Sequence, residues 1–425
     1  DPKMSELGWK YLTEEDKATI LRGVRDGVAY GGPYHVEIYP SDRCNIDCFF
    51  CSTAAIRGDD ELPLARIEQL VSEMQQAGTR SIRFAGGGEP LFHRKTKDLL
   101  RMIGKSGIPI ENITTNAVLL GQEMTAILLD GRCDEIIVSL NTADPDSYAS
   151  MMQTPARNFD RVLNNVRNMV RERNRRKKRH PQIVLQYLVW KENYKSIPRM
   201  YALARELHVD SILFNGLAFL RPEQEMTREE TAEMMRLYEQ VVRIDEFRRI
   251  AQIESFEQDL RPAVAEMASR LDAERRARGK VRRIARLVGR RDLTWREKIE
   301  HQMHVRRNRK IDRESAGLEQ PCVIGWHSLV VRTGGHVAPC CILQGSPLGD
   351  IFKNSLREVW YGEGYARFRR ELKRIVDAGE SWKPDAAADR TVVAMCGGKG
   401  KDVCPVKSFY YRSDLPFLRS LQPSR

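Results

Sequence analysis

The sequence predicts an α/β fold: a parallel sheet with helices between its strands, then a helical insertion and a small cysteine-bearing C-terminal module. Three observations carry this. Six strand-like apolar runs alternate with helical runs from residue 35 to about 216, the rhythm that builds parallel sheets. That rhythm breaks over residues 221–318, which are rich in Arg and Glu and poor in Gly and Pro. Eight of the nine cysteines fall in two groups near the chain ends, a grouping that suggests metal before disulfides in a chain of 425 residues. Periodicity alone does not separate a doubly wound sheet from a barrel.

Residues 1–34 read as a short helical lead-in. Thr13-Glu14-Glu15-Asp16 supplies an N-cap and an acidic first turn, and Gly31-Gly32-Pro33 ends the segment. Within the β–α unit, residues 35–220, the strand-like runs are 35–40, 81–85, 109–114, 134–140, 183–189 and 209–214. Helical runs lie at 63–77, 94–105, 120–130, 155–178 and 194–207. The basic block at 171–180 ends a helix, where positive side chains suit the dipole. It lacks interleaved aromatics for base stacking and reads as a solvated helix end, so nucleic acid is not the expected partner. In the insertion, residues 226–242 have apolar positions at helical spacing. Residues 281–288 are basic and amphipathic; docking on the protein's own body is favoured over contact with an anionic membrane surface. The C-terminal module spans 319–425.

A hydrophobic content of 41% suffices for a real core, and no apolar run is long enough to span a membrane. The first residues lack the apolar core of a secretory signal, so a reduced, cytoplasmic protein is expected. The net charge of +12 fits nucleic acid, an anionic surface or a phosphorylated substrate, and equally a basic surface with no assigned partner.

Chemistry concentrates in Arg43-Cys44-Asn45-Ile46-Asp47-Cys48-Phe49-Phe50-Cys51, a C-x3-C-x2-C pattern just past the first strand. Three thiolates on a loop suit a soft metal, and three ligands leave a position open for substrate. An iron–sulfur cluster, a zinc knuckle with a distant fourth ligand and three unrelated thiols all stay open on spacing alone. The second group is Cys322, Cys340, Cys341, Cys396 and Cys404. Residues 328–339 read as a hairpin with a Gly334-Gly335 turn that folds one cysteine back toward another. Cys133, alone at the start of the fourth strand, reads as a buried structural thiol.

With Phe50 just before Cys51, the first trio resembles the signature of the radical S-adenosylmethionine (radical SAM) enzymes. The resemblance implies a partial (β/α)6 barrel with a [4Fe–4S] cluster on Cys44, Cys48 and Cys51 at the C-terminal end of the first strand. It implies that SAM chelates the fourth iron, is cleaved reductively to a 5′-deoxyadenosyl radical, and that this radical abstracts hydrogen from a substrate. An electron donor such as flavodoxin or ferredoxin is implied too. Gly86-Gly87-Gly88-Glu89-Pro90 resembles the family's GGEP segment, implying that Gly87, Gly88 and Glu89 bind SAM at its methionine amino end. Thr115-Asn116-Ala117 resembles a TNG segment with Ala in place of Gly. Ser139 and Asn141 resemble a pair that contacts the ribose and carboxylate of SAM, and residues 188–193 a segment on its adenosine side.

The spacing C-x12-G-x4-C from Cys322 through Gly335 to Cys340 resembles the opening of the SPASM/twitch module, with residues 348–351 and 356–360 resembling its continuation. The C-x2-C-x5-C-x3-C run of a full SPASM module is absent. What remains, Cys322, Cys340, Cys396 and Cys404, is enough for one auxiliary [4Fe–4S] cluster, with Cys341 spare or a substitute ligand; structural zinc is the alternative. The favoured function is an oxidoreductase or epimerase on a hydroxylated small molecule (sugar, aminocyclitol or nucleotide), and phosphorylation of that substrate would suit the basic surplus. The alternatives are a maturase of a ribosomally made peptide, for which the lead-in is too short to be a leader-binding domain, and a zinc-stabilised basic RNA-binding protein. Family epimerases return hydrogen from a cysteine; Cys133 lies at the wrong end of its strand for that.

Overall fold

Six strands form where the alternation placed them: β1 (His35–Ile38), β2 (Ser81–Phe84), β3 (Ile110–Thr115), β4 (Cys133–Ser139), β5 (Gln182–Val189) and β6 (Ser211–Gly216). Each pairs in parallel with the next. The computed structural model describes residues 8–51, 53–54, 57–216, 226–244, 251–254, 323–341, 343 and 347–378. The lead-in helix α1 (Glu14–Asp26) opens on a Thr13–Asp16 capping box. Helices α2 (Leu64–Ala77), α3 (Thr96–Ser106) and α4 (Gln122–Asp130) follow β1, β2 and β3. Two helices follow β4, α5 (Pro145–Met152) and α6 (Arg157–Arg175), and α7 (Ile197–Glu206) follows β5. The sequence reading missed α5. Its signal was present: the Asp144 carboxylate accepts from the N–H groups of Asp146 and Ser147, and Pro145 occupies the first turn.

Alternation along the strands decides between barrel and doubly wound sheet. Val36, Ile38, Ile82, Phe84, Ile136 and Val138 join one core with the apolar faces of the helices. Their neighbours His35, Glu37, Arg83, Glu135, Ser139 and Gln186 turn to the opposite face. Among the described residues the helices between the strands cover the first face, with α2 packed on α3, α3 on α4 and α4 on α6. A doubly wound sheet would be apolar on both faces; a polar inner face belongs to a barrel with a lumen.

Two expectations need correction. The β–α rhythm does not stop at residue 221: α8 (Arg228–Ile244) packs on α7, and β7 (Ala251–Glu254) pairs in parallel with β6. This step was hidden because β7, Ala-Gln-Ile-Glu, is short and half polar. Residues 255–322, with the amphipathic stretch at 281–288, lie outside the described residues. At the other edge, β8 (Ser328–Val331) pairs in parallel with β1, so the C-terminal hairpin extends the barrel sheet instead of standing apart. The hairpin forms as expected, β8 against β9 (His336–Ala338), and β10 (Gly349–Asp350) adds a short antiparallel strand. The sheet runs β10-β9-β8-β1-β2-β3-β4-β5-β6-β7, so the six expected strands are the middle of ten. Its two ends do not pair among the described residues, and the barrel is partial.

The lead-in and the C-terminal region share a second core. Trp9, Ile20 and Val24 pack with Ile324, Trp326, Cys340 and Phe368. The Trp326 indole N–H donates to the Val28 carbonyl at 3.1 Å. Residues of the short turn Trp9–Tyr11 and its cap close the barrel floor: the Gly8 N–H donates to Glu111 Oε1 at 2.7 Å, and the Tyr11 hydroxyl to Asp134 Oδ2 at 2.6 Å. The basic block at the end of α6 is partly tied down: Arg173 pairs with Asp210, Arg175 with Glu172, and Arg176 with Glu172 and Asp130.

Candidate active site

The loop bearing Cys44, Cys48 and Cys51 leaves β1 at the C-terminal end of the sheet. Its backbone is held from two sides. The N–H groups of Asp47 and Phe49 donate to the carbonyls of Met152 and Met151, at the end of α5, each at 3.2 Å. The N–H groups of Gly88 and Glu89 donate to the carbonyls of Ser41 and Arg43 at 2.8 and 2.9 Å. Side chains complete the support: the Thr53 hydroxyl donates to the Gly87 carbonyl at 2.8 Å and lies 3.2 Å from Cys51 Sγ. Asn116 Nδ2 donates to Asn45 Oδ1 at 2.8 Å and lies 3.9 Å from Cys44 Sγ.

All three thiols are half-buried. Burial raises Cys44, and burial together with the neighbouring Cys44 and Cys51 pushes Cys48 up to about 12. Thiols gathered this way resist ionisation until a metal takes up their charge. Arg57 adds a positive charge: burial opposes it, but the Asp47 carboxylate at 2.6 Å and the Cys51 and Cys44 thiols hold it protonated. Among the described residues no three Cys, His, Asp or Glu side chains converge on a point that one metal ion would fill.

The expected SAM contacts fare differently. Glu89 is buried with both carboxylate oxygens engaged: Oε1 accepts from the Thr115 hydroxyl at 2.6 Å and the Leu91 N–H at 3.0 Å, and Oε2 from the Asn116 N–H at 2.8 Å. Burial raises its pKa, against the pull of these hydrogen bonds. It pins the loop after β2 to the loop after β3. Gly87 has φ +83°, and a Cβ there would sit 2.4 Å from Asp42 Oδ1; at Gly88 it would sit 2.0 Å from the Arg43 carbonyl oxygen. The close approach these glycines permit is between two protein loops. Ala117 sits at φ +58°, which explains a glycine in the resembling segment. Ser139 is half-buried on the inner face and donates to Gln186 Oε1 at 3.3 Å. Asn141, 1% exposed, is used inside the wall, its Oδ1 accepting from the Leu188 N–H at 3.2 Å. In residues 188–193, the Asn193 side chain caps its own turn, and Trp190 is buried with its ring 5.1 Å from Phe49. Phe49 is the exposed aromatic of the loop, whereas Phe50 packs toward the core.

Sequence reasoning missed the inner face. Arg83 on β2 keeps 21% side-chain exposure, and its nearest carboxylate oxygen, on Glu37, is 4.0 Å away. Glu111 is fully buried 3.7 Å from His35 Nδ1, and burial pushes it up to about 7 against the Gly8 N–H and the Arg83 charge. His35 stacks on His327 at 6.0 Å; burial keeps both neutral, lowering His327 to about 3. The signal was a charge between apolar neighbours, as in Val36-Glu37-Ile38 and Ile82-Arg83-Phe84.

In the second cysteine region, Cys340 is buried in the core shared with the lead-in. Cys322, Cys396 and Cys404 lie outside the described residues. Cys341 is half-buried, and its thiol acts electrostatically on Tyr39 and Arg83, which brings the hairpin end to the lumen wall. The hairpin turn is tied to the first loop by the Thr333 hydroxyl donating to Asp42 Oδ2 at 2.6 Å. Cys133 is buried, as expected, with Sγ donating to the Glu135 carbonyl at 3.4 Å.

The model of the Radical SAM superfamily matches residues 38–204, and that of the SPASM iron–sulfur cluster-binding domain matches residues 322–382. The chain belongs to the radical SAM superfamily and carries a SPASM domain. These domains imply a [4Fe–4S] cluster, SAM and an auxiliary iron–sulfur cluster. The GTP 3′,8-cyclase of Chlorobaculum tepidum is 33% identical over 119 residues, 28% of this chain and 36% of the relative. A tungsten-containing aldehyde ferredoxin oxidoreductase cofactor-modifying protein of Pyrococcus furiosus is 26% identical over 187 residues, 43% of this chain and 51% of the relative. The chain thus spans about half or less of these curated relatives. Streptococcus suis SuiB bound to SAM has the same fold, with TM-score 0.55 and 19% identity over 83% of this chain and 71% of SuiB. The anSMEcpe structure with bound SAM gives TM-score 0.50 and 14% identity over 91% of this chain and 98% of that one. Among the described residues no helix is long and apolar enough to cross a membrane.

Proposed function

We propose that the enzyme abstracts hydrogen from a hydroxylated small molecule (a sugar, aminocyclitol or nucleotide) held inside the barrel, leading to its oxidation or epimerisation. The polar groups on the inner face of the sheet are the observation that supports this reading: Glu37, Arg83, Glu135, Ser139 and Gln186 offer hydrogen-bonding groups beside an apolar strip of Ile137, Val184 and Leu213. Cys44, Cys48 and Cys51 would hold the SAM-binding cluster, and Cys322, Cys340, Cys396 and Cys404 the auxiliary one. When bound, the first would supply the electron for reductive cleavage of SAM and the second an electron acceptor.

The chain's own residues position and enclose. Asn116 and Thr53 fix the thiol loop. Phe49 and Trp190 form an aromatic wall at the mouth that excludes water. Ser139 and Gln186 orient polar groups below it. Gly8 and Tyr11 close the floor, so entry is from the cysteine side. An external electron donor such as flavodoxin or ferredoxin completes the proposal.

A peptide substrate is the second reading, supported by the shared fold of SuiB bound to precursor peptide SuiA; fold alone transfers no activity. The GTP 3′,8-cyclase relatives support a nucleotide among the small molecules. The test is 5′-deoxyadenosine formation by anaerobically reconstituted protein with sugars, aminocyclitols, nucleotides and peptides. Stimulation by a small molecule sustains the proposal; stimulation by peptides alone replaces it.

A further inference from the structure

We infer that Arg83 anchors the substrate by binding a carboxylate group inside the barrel; the inference rests on the reading of the lumen as the substrate chamber. Ile82 and Phe84, on either side of Arg83, are locked in the helix-side core, so the pleat turns the Arg83 side chain inward. It keeps 21% exposure on the inner face in the middle of the sheet, between β1 and β3. Its Nε is buried and has no acceptor. The Glu37 oxygen at 4.0 Å is too far for a hydrogen bond. A guanidinium withdrawn from water with an unfilled donor edge is costly, and a planar oxyanion completes that edge with two parallel N–H···O bonds.

The surroundings choose among anions. Glu37 and Glu111 both act on Arg83. A phosphate dianion would bring two negative charges against those carboxylates, whereas a carboxylate brings one and matches the flat fork. Glu111, pushed up to about 7 by burial, carries only part of its charge at neutral pH, which leaves Arg83 able to accept one further anion. Within the hydroxylated small molecules proposed above, Arg83 therefore selects those that carry a carboxylate, a sugar acid or a hydroxylated amino acid, over phosphorylated ones.

The test is isothermal titration of the full-length, anaerobically reconstituted protein with matched pairs: D-glucuronate against D-glucuronamide, and L-serine against L-serinamide. Glucose 6-phosphate and GTP serve as phosphorylated competitors. A carboxylate is expected to bind at least about tenfold more tightly than its amide. Arg83→Gln should erase that preference, and Arg83→Lys should restore part of it. Equal binding of acid and amide, preference for a phosphorylated probe, no binding by either acid, or a preference that survives Arg83→Gln overturns the assignment. The wild-type pairs decide the matter even if Arg83→Gln does not fold. Uncoupled SAM cleavage and iron content, measured on the same preparation, report separately on the thiol trio.

Discussion

The two cysteine regions are held in opposite ways. Cys44, Cys48 and Cys51 sit half-buried on one loop, supported by backbone hydrogen bonds from α5 and from the turn after β2. Cys340 lies inside an apolar core to which both ends of the chain contribute, Trp9 and Ile20 from one and Trp326 and Phe368 from the other. The first arrangement leaves its thiols open toward the lumen mouth. The second seals its thiol into packing. The difference predicts different losses: removing the first trio should abolish SAM cleavage and spare the fold, whereas disturbing the second region should cost iron and packing while SAM cleavage stays measurable.

The largest test of that contrast is the triple replacement of Cys44, Cys48 and Cys51 by Ala. It should reduce 5′-deoxyadenosine formation to background while far-ultraviolet circular dichroism stays that of the wild type; retained SAM cleavage would falsify the site. Cys340→Ser should lower iron to roughly half, one cluster of two, with SAM cleavage still measurable; unchanged iron would remove Cys340 from the ligand set. Trp326→Ala should cost about 3–5 kcal/mol in denaturant unfolding, since it empties the core around Cys340 and removes the bond to Val28. If stability is unaffected, the shared core is not what holds the second region.

The smallest effect concerns the junction of the two regions. His327 is neutral in the folded protein, with burial lowering it from 6.5 to about 3. Below about pH 6.5 the unfolded chain takes up a proton that the folded one refuses, so stability falls as pH falls through that window. His327→Gln removes this contribution, and its acid limb should be shallower than the wild type's by about 1 kcal/mol per pH unit. Glu111 and Glu89, both raised by burial, act with the opposite sign and are common to the two proteins, so they cancel in the comparison. Parallel pH curves would show that His327 is not shielded from protons.

How much of this was legible in the sequence follows the same division. The thiol loop, the six parallel strands and the Gly334-Gly335 hairpin are local patterns, readable because one short stretch of residues fixes each. What was lost depends on partners far away in the chain. Nothing near Glu89 announces that Thr115 and Asn116 occupy its oxygens. Asn141 looks like a strand-end polar group until Leu188 is seen donating to it. That the Arg43 carbonyl lies against Gly88 could not be read locally either, because the two loops meet from separate strands. β7 escaped because a four-residue edge strand carries little apolar signal, and α5 because it is only eight residues long.

Because His35–Ile38 and Ser328–Val331 march side by side in one hydrogen-bonded ladder, the stem of the first thiol loop and the stem of the hairpin before Cys340 are neighbouring rungs, about 4.8 Å apart. No hinge intervenes between these stems. Charge crossing from one cysteine region toward the other therefore departs from and arrives at a rigid frame, and tuning that passage falls to the side chains in the gap rather than to movement of the parts.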